Sequence, residues 1–390
     1  MNDHVRMKNI SFGLILLILS SSLFSCSNFI SGKFYTGSSS RQCLPVFPDK
    51  DGWYGGDGAY SIKLDDQRTL WLFGDTFVTG EEGKKDRIDM DVILGTTLAI
   101  STCSSDNEFK IQYHLKKKNG KFVSSFGDNE WLWPQDPFMA NGVLYIPLIE
   151  VTLANREGDV FNFKISGHKF ARVKDFSSDN PNTWIFDYID LATAIQPEIS
   201  AFAATSVVYE NYVYFYPLYN YSKGNVHVLG NILARIPVSM IDKPAGAVDY
   251  FTKNGTWENE LDPEKVKVVL DASVSELSVR YHPTTKKWIA VYLSVQNKGN
   301  KLLYQTADAP EGPWSKPEFS EVNIPEVDPQ SPLYDKNNFC YAGKEHIEFS
   351  RDKNLVVTYV CNSFEDMEKP DSFIRRNLFL YRPVVREIVY

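Results

Sequence analysis

Blocks of positive charge are missing from this chain. Lys and Arg number 41 against 49 Asp and Glu, a net charge of −8, and the one cationic run, residues 116–118, precedes Asn119-Gly120 as a solvated turn would. A phosphate backbone needs a basic stripe or patch, so no nucleic-acid partner is expected. Cysteine is scarce too: five in 390 residues, with no C-x-x-C or other ligand spacing. No metal centre or other cofactor is therefore expected. No long amphipathic helix pattern occurs, which leaves strands as the main element. After residue 26 no apolar run is long enough to cross a bilayer.

What is present begins with the N-terminus. Arg6 and Lys8 precede an apolar run over residues 10–19, and Leu23-Phe24-Ser25 stands before Cys26. This has the form of a secretory signal ending in a lipobox, so residues 1–26 are expected to be a lipoprotein signal peptide with Cys26 the lipidated residue. Residues 27–48, rich in Ser and Gly at their start, are expected to be a tether. The protein is then a cell-envelope lipoprotein, at the outer-membrane surface or in the periplasm of a Gram-negative bacterium, held to the membrane by a lipid at Cys26. Four cysteines remain for an oxidising compartment. The polar SRDKN at residues 350–354 lies near the midpoint between Cys340 and Cys361 and could fold them onto facing strands, so these two are the expected disulfide.

The remainder, residues 49–390, repeats itself. Five segments start with a polar residue or its equivalent, cross a turn and enter an aromatic or β-branched strand: DGAYSIKLDDQRTLWLFGDT from Asp57, DPFMANGVLYIPLIEV from Asp136, FAATSVVYENYVYFYPLYN from Phe202, ELSVRYHPTTKKWIAVYLSV from Glu276, and HIEFSRDKNLVVTYVCN from His346. A further strand follows each, among them TTLAISTCSS, NILARIPVSM and KLLYQTADAP. A unit of about 70 residues with three or four antiparallel strands is a propeller blade, and five fill the domain. The expected fold is all-β, a five-bladed β-propeller, and a monomer.

The first repeat poses the chemical question. Folded about its polar turn at residues 65–68, it brings Asp57 and Asp75 to one end; an odd loop sets them face to face, an even one on opposite faces. Like charges opposite each other destabilise a sheet. Two interacting carboxylates do, however, titrate apart, which suits a general acid and its base or nucleophile in glycoside hydrolysis. Three other repeats also begin with an ionisable group, Asp136, Glu276 and His346, which in a propeller converge near the axis. Without a role in a site, Glu276 would form a salt bridge with Arg280 or a lysine. Trp53, Tyr54, Trp131 and Trp133 precede the pocket positions of the first two blades and could stack on sugar rings, whereas Trp71 and Trp288, inside strands, are expected in the core.

Together GGDGAYS with LWLFGDTF, WLWP before Asp136, ELSVRYHP with WIAVY, APEGPW and HIEFSRDKNLVVTYV resemble a group of secreted bacterial five-bladed propellers related to the arabinanase and fructosidase hydrolases, which includes endo-acting D-arabinan hydrolases. The resemblance implies Asp57 and Asp75 as catalytic pair, with Glu276 as the acid in the wider arabinanase-like group. It implies a furanose-containing polysaccharide as substrate. The expected roles are Asp57 as base or nucleophile, Asp75 as general acid, Glu276 as third catalytic carboxylate, and Asp136, His346, Trp53, Trp133 and Arg280 as substrate contacts. A glycan-binding lipoprotein without hydrolytic activity is the alternative.

Overall fold

The computed structural model describes residues 43–390 apart from 129, 155–161, 295–299, 366 and 368. Cys26 and most of the expected tether lie outside the described residues. Among those residues no helix is long and apolar enough to cross a membrane.

Five antiparallel meanders follow one another along the chain. Their inner strands are Tyr60–Lys63, Phe138–Ala140, Ser206–Tyr209, Ser278–His282 and Asn338–Glu345, and each pairs with the next strand of its own sheet. Second strands such as Arg68–Phe73 and Lys287–Ser294 are buried along nearly their whole length. A strand covered on both faces reads as a continuous apolar run, which is why LWLF and WIAVYLS lack strict alternation.

The apolar clusters show how the meanders are arranged. Leu70 and Leu72 of blade 1 pack with Leu144 and Ile146 of blade 2. Phe138 and Phe170 pack with Val213 and Phe215 of blade 3, and Tyr214 packs with Val279 and Trp288 of blade 4. Ile289 and Val291 pack with Leu355 and Val357 of blade 5, and Val356 returns to Trp71 and Phe73 of blade 1. Each core lies between consecutive blades, and the last joins the fifth to the first. The fold is a five-bladed β-propeller.

Two boundaries differ from expectation. The folded domain begins by Cys43 rather than at 49, because Cys43 is bonded to Cys103 of blade 1 and Phe47 packs edge-on against Trp71 at 4.9 Å. Blade 5 begins at Asn338, so His346 follows its inner strand instead of opening it. The disulfide between Cys340 and Cys361 shows why: these residues are direct partners in the ladder, which fixes the hairpin about the turn at 351–354. The loop before the last strand, Val384–Val389, is held by Arg87, fully buried, whose guanidinium donates to the carbonyls of Tyr54, Ile374, Asn377, Leu378 and Leu380.

Candidate active site

The loop of the first hairpin is odd. Lys63 pairs with Thr69, leaving residues 64–68 between them. Carried outward, that register sets Asp57 against Asp75: the Asp57 N–H donates to the Asp75 carbonyl at 2.9 Å, and the Gly74 N–H donates to the Asp57 carbonyl at 2.7 Å. The two carboxyl groups nevertheless meet different partners.

Asp57 accepts from the Tyr341 hydroxyl at 2.5 Å. Its carboxyl is pushed up to about 7, first by burial and next by the charge of Glu276, which together outweigh the Tyr341 hydrogen bond. Glu276 reaches it because Gly58, at φ 60°, has no side chain: a Cβ there would stand 3.1 Å from Glu276 Oε1. Glu276 Oε1 in turn accepts from Lys344 Nζ at 3.0 Å.

Asp75 is held differently. Its Oδ1 accepts three N–H groups, from the Gly95 backbone at 2.7 Å and from the indoles of Trp131 and Trp133 at 2.9 and 2.8 Å. Burial raises this carboxyl to about 6 while all three donors favour its ionised form. The Trp131–Pro134 strand supplies both indoles; it pairs residue for residue with 148–151, on the same inner edge of the blade 2 sheet as Phe138–Ala140.

All three carboxylates line one cavity of about 1350 Å³, with Tyr60, Trp131, Trp133, Phe163, Phe339 and Tyr341 among its walls. One wall is a cluster of rings, Trp131 edge-on to Trp133 at 5.4 Å and Trp133 edge-on to Phe163 at 4.7 Å. Blade 5 supplies the other, where Phe364, Phe339 and Tyr341 stack in sequence at 4.3 and 5.5 Å. Leu153 and Phe364 remain largely exposed where they join the lining.

The other expected contacts are not on this wall. Asp136, 2% exposed, is clamped by both Arg280 Nη atoms at 2.8 and 2.9 Å and by Thr205 and the Ser206 N–H. The arginine therefore pairs with Asp136 and not with Glu276; together they tie blades 2, 3 and 4. His346 Nδ1 meets Ser61 Oγ at 2.7 Å and its Nε2 meets Thr358 Oγ1 at 2.7 Å, joining blades 5 and 1. Burial holds this imidazole well below the ordinary histidine range, so it is a neutral core residue. Trp53 is fully buried and stacked on Tyr113 at 4.4 Å. Trp71 and Trp288 are buried as expected. Inner-strand polar residues near the axis mostly bind one another from blade to blade, which a count of polar positions could not distinguish from a binding site. Tyr341 and Lys344 were missed because they belong to the strand that the sequence reading placed wrongly.

Residues 45–388 match the model of one protein family, described as a domain of unknown function (DUF5005). No curated protein matches the sequence. Among solved structures, a Bacteroides ovatus protein provisionally named a hydrolase superposes with a TM-score of 0.63 at 15% identity, over 87% of this chain and 86% of its own. A GH43_1 enzyme from Xanthomonas citri gives 0.42 at 12% identity, over 88% and 90% of the two chains. An endo-arabinase from Bacteroides thetaiotaomicron gives 0.40 at 11% identity, over 86% and 94%. At these identities the likeness is one of fold, and the first match carries it.

Proposed function

The chain belongs to the family described as a domain of unknown function, DUF5005, and for it we propose a glycoside hydrolase that cleaves a furanose-containing, arabinan-like polysaccharide in the central funnel. One observation carries this reading: Asp57, Asp75 and Glu276 stand on the wall of a single 1350 Å³ cavity between two banks of aromatic rings. A cavity above the ~300–1,000 Å³ of small-ligand sites suits an oligomer, and ring faces suit the apolar faces of sugars. The choice of a furanose polymer rests on the resemblance of GGDG, GDT and their companion motifs.

The electrostatics favour a division of labour opposite to that expected from sequence. Asp57, beside the Glu276 charge and held at about 7, keeps a proton near neutral pH and can protonate the departing glycosidic oxygen. Asp75, whose Oδ1 takes three N–H donors, ionises first and serves as base or nucleophile. Glu276 keeps Asp57 protonated by its charge. Tyr341, a phenol pushed well above its ordinary value by burial and then by the Asp57 charge, remains a donor that orients Asp57. A lipid at Cys26 would tether this activity to the cell envelope, and two disulfides suit that oxidising location.

The test is incubation of the chain lacking residues 1–26 with arabinans and other furanose and pyranose polysaccharides, with product sizing beside Asp57→Asn. Oligosaccharides released by the parent and not by the variant support hydrolysis. Saturable binding without release, equal in both, would favour a glycan-binding protein, and full activity in the variant would remove Asp57 from the chemistry.

A further inference from the structure

The inner strand of blade 5 carries a bulge. Tyr341 pairs with Val360 but Lys344 pairs with Thr358, so the strand holds one residue more than its partner between them. Ala342 takes a φ of 56°, and a Cβ on Gly343 would lie 2.5 Å from the backbone nitrogen of Leu293 in blade 4. Only glycine lets the bulge seat there. In a regular strand, residues three apart face opposite sides; the extra residue instead sends both Tyr341 and Lys344 to the funnel side. The Tyr341 hydroxyl meets Asp57 of blade 1 and the Lys344 ammonium meets Glu276 of blade 4.

Lys344 is 2% exposed and lies 3.7 Å over the Tyr60 ring. A buried ammonium is tolerated where a charge and a ring face replace its hydration, and here both come from other blades. We propose that Lys344 is a positioning residue of the funnel: the bulge drives its ammonium between acidic groups of two blades, holds Glu276 against Gly58 and decides which carboxyl carries the proton. It acts through Glu276, since Lys344 itself does not line the cavity. Its consequence for turnover rests on the hydrolase reading; its effect on ionisation does not.

The groups that Lys344 acts on are Glu276 from blade 4, Asp57 and Tyr60 from blade 1, and His346 from its own blade. Losing the ammonium raises Asp57 further and relieves the lowering of His346, since Lys344 opposes the first and contributes to the second. Both changes make the loss of stability grow with pH. The experiment compares the parent, Lys344→Met and Lys344→Met/Glu276→Gln by thermal unfolding at about pH 5 and about pH 8.5, and by the pH profile of kcat/KM on any polysaccharide that the parent cleaves. Expected are a fall in Tm that is larger at the higher pH, partial recovery there in the double variant, and about a tenfold loss of kcat/KM at neutral pH, part of the 10²–10⁴ that placed acids and bases supply. An equal fall in Tm at both pH values without recovery would make Lys344 a packing residue and overturn the proposal. If the parent cleaves nothing, the hydrolase reading fails while the thermal comparison still decides the role of Lys344.

Discussion

Replacing Asp57 by Asn is expected to abolish turnover and at the same time to stabilise the fold at alkaline pH. The folded state raises this carboxyl from 3.8 to about 7. A gap of about three pH units corresponds to about 4 kcal/mol at 1.36 kcal/mol per unit, and halving it for the solvent that reaches this partly exposed group leaves about 2 kcal/mol. Because the folded chain holds the proton more tightly than the unfolded one, the penalty is absent below about pH 4, grows as pH rises and is complete above about pH 7. Asparagine carries no charge and can still accept from Tyr341. Its Tm should therefore match the parent near pH 4 and exceed it by about 4 °C near pH 8.5, at about 2 °C per kcal/mol for a domain of this size. Scanning calorimetry of both proteins at constant ionic strength measures this. A variant less stable than the parent at pH 8.5, or shifted equally at both pH values, would refute the account of a carboxyl held protonated by burial and Glu276.

Arg87→Met leaves five carbonyls, three of them in buried hydrogen bonds and two in partly buried ones, without this donor; a loss of about 3–5 kcal/mol is expected, with limited proteolysis cutting first between residues 373 and 383. Breaking the Cys43–Cys103 bridge, sequence separation 60, should cost about 4 kcal/mol, and breaking Cys340–Cys361, separation 21, about 3 kcal/mol; paired Cys→Ser variants in urea unfolding would check the order. Trp133→Ala removes one ring of the aromatic bank and a donor to Asp75, so KM on the cleaved polysaccharide should rise about tenfold and kcat should fall as well; a change in KM alone would argue against the tie to Asp75.

Much of this could be read before any coordinates. Repetition of a strand-turn-strand pattern gave the number of blades, because each blade solves the same burial problem with the same residue types. The polar turn at 65–68 placed Asp57 and Asp75 at one end of the hairpin; whether they face each other turned on the loop being odd, which the pairing of Lys63 with Thr69 decided. The midpoint turn between Cys340 and Cys361 carried their pairing. These are local matters, decided over some twenty residues by side-chain period and turn chemistry. His346 shows the limit. Its segment has strand-like composition on both sides, so the phase of blade 5 could not be fixed from pattern, and with it went Tyr341 and Lys344.

What only the tertiary structure decided is which polar residues near the axis face the cavity and which face one another. Asp57 and Asp136 are both aspartates near the start of an inner strand, yet one meets Glu276 and a cavity while the other is closed off by Arg280, Thr205 and Ser206. The partners come from other blades, 69 and more residues away, and the choice between them depends on burial and charge summed over the whole ring. The sequence by itself determined the blades, the placing of Asp57 and Asp75 at one end of the first hairpin, and one disulfide, since near neighbours in the chain dictate them. The proton distribution between Asp57 and Asp75 exists only once five blades have closed around them, because desolvation and Coulomb interaction depend on distance in space and not along the chain.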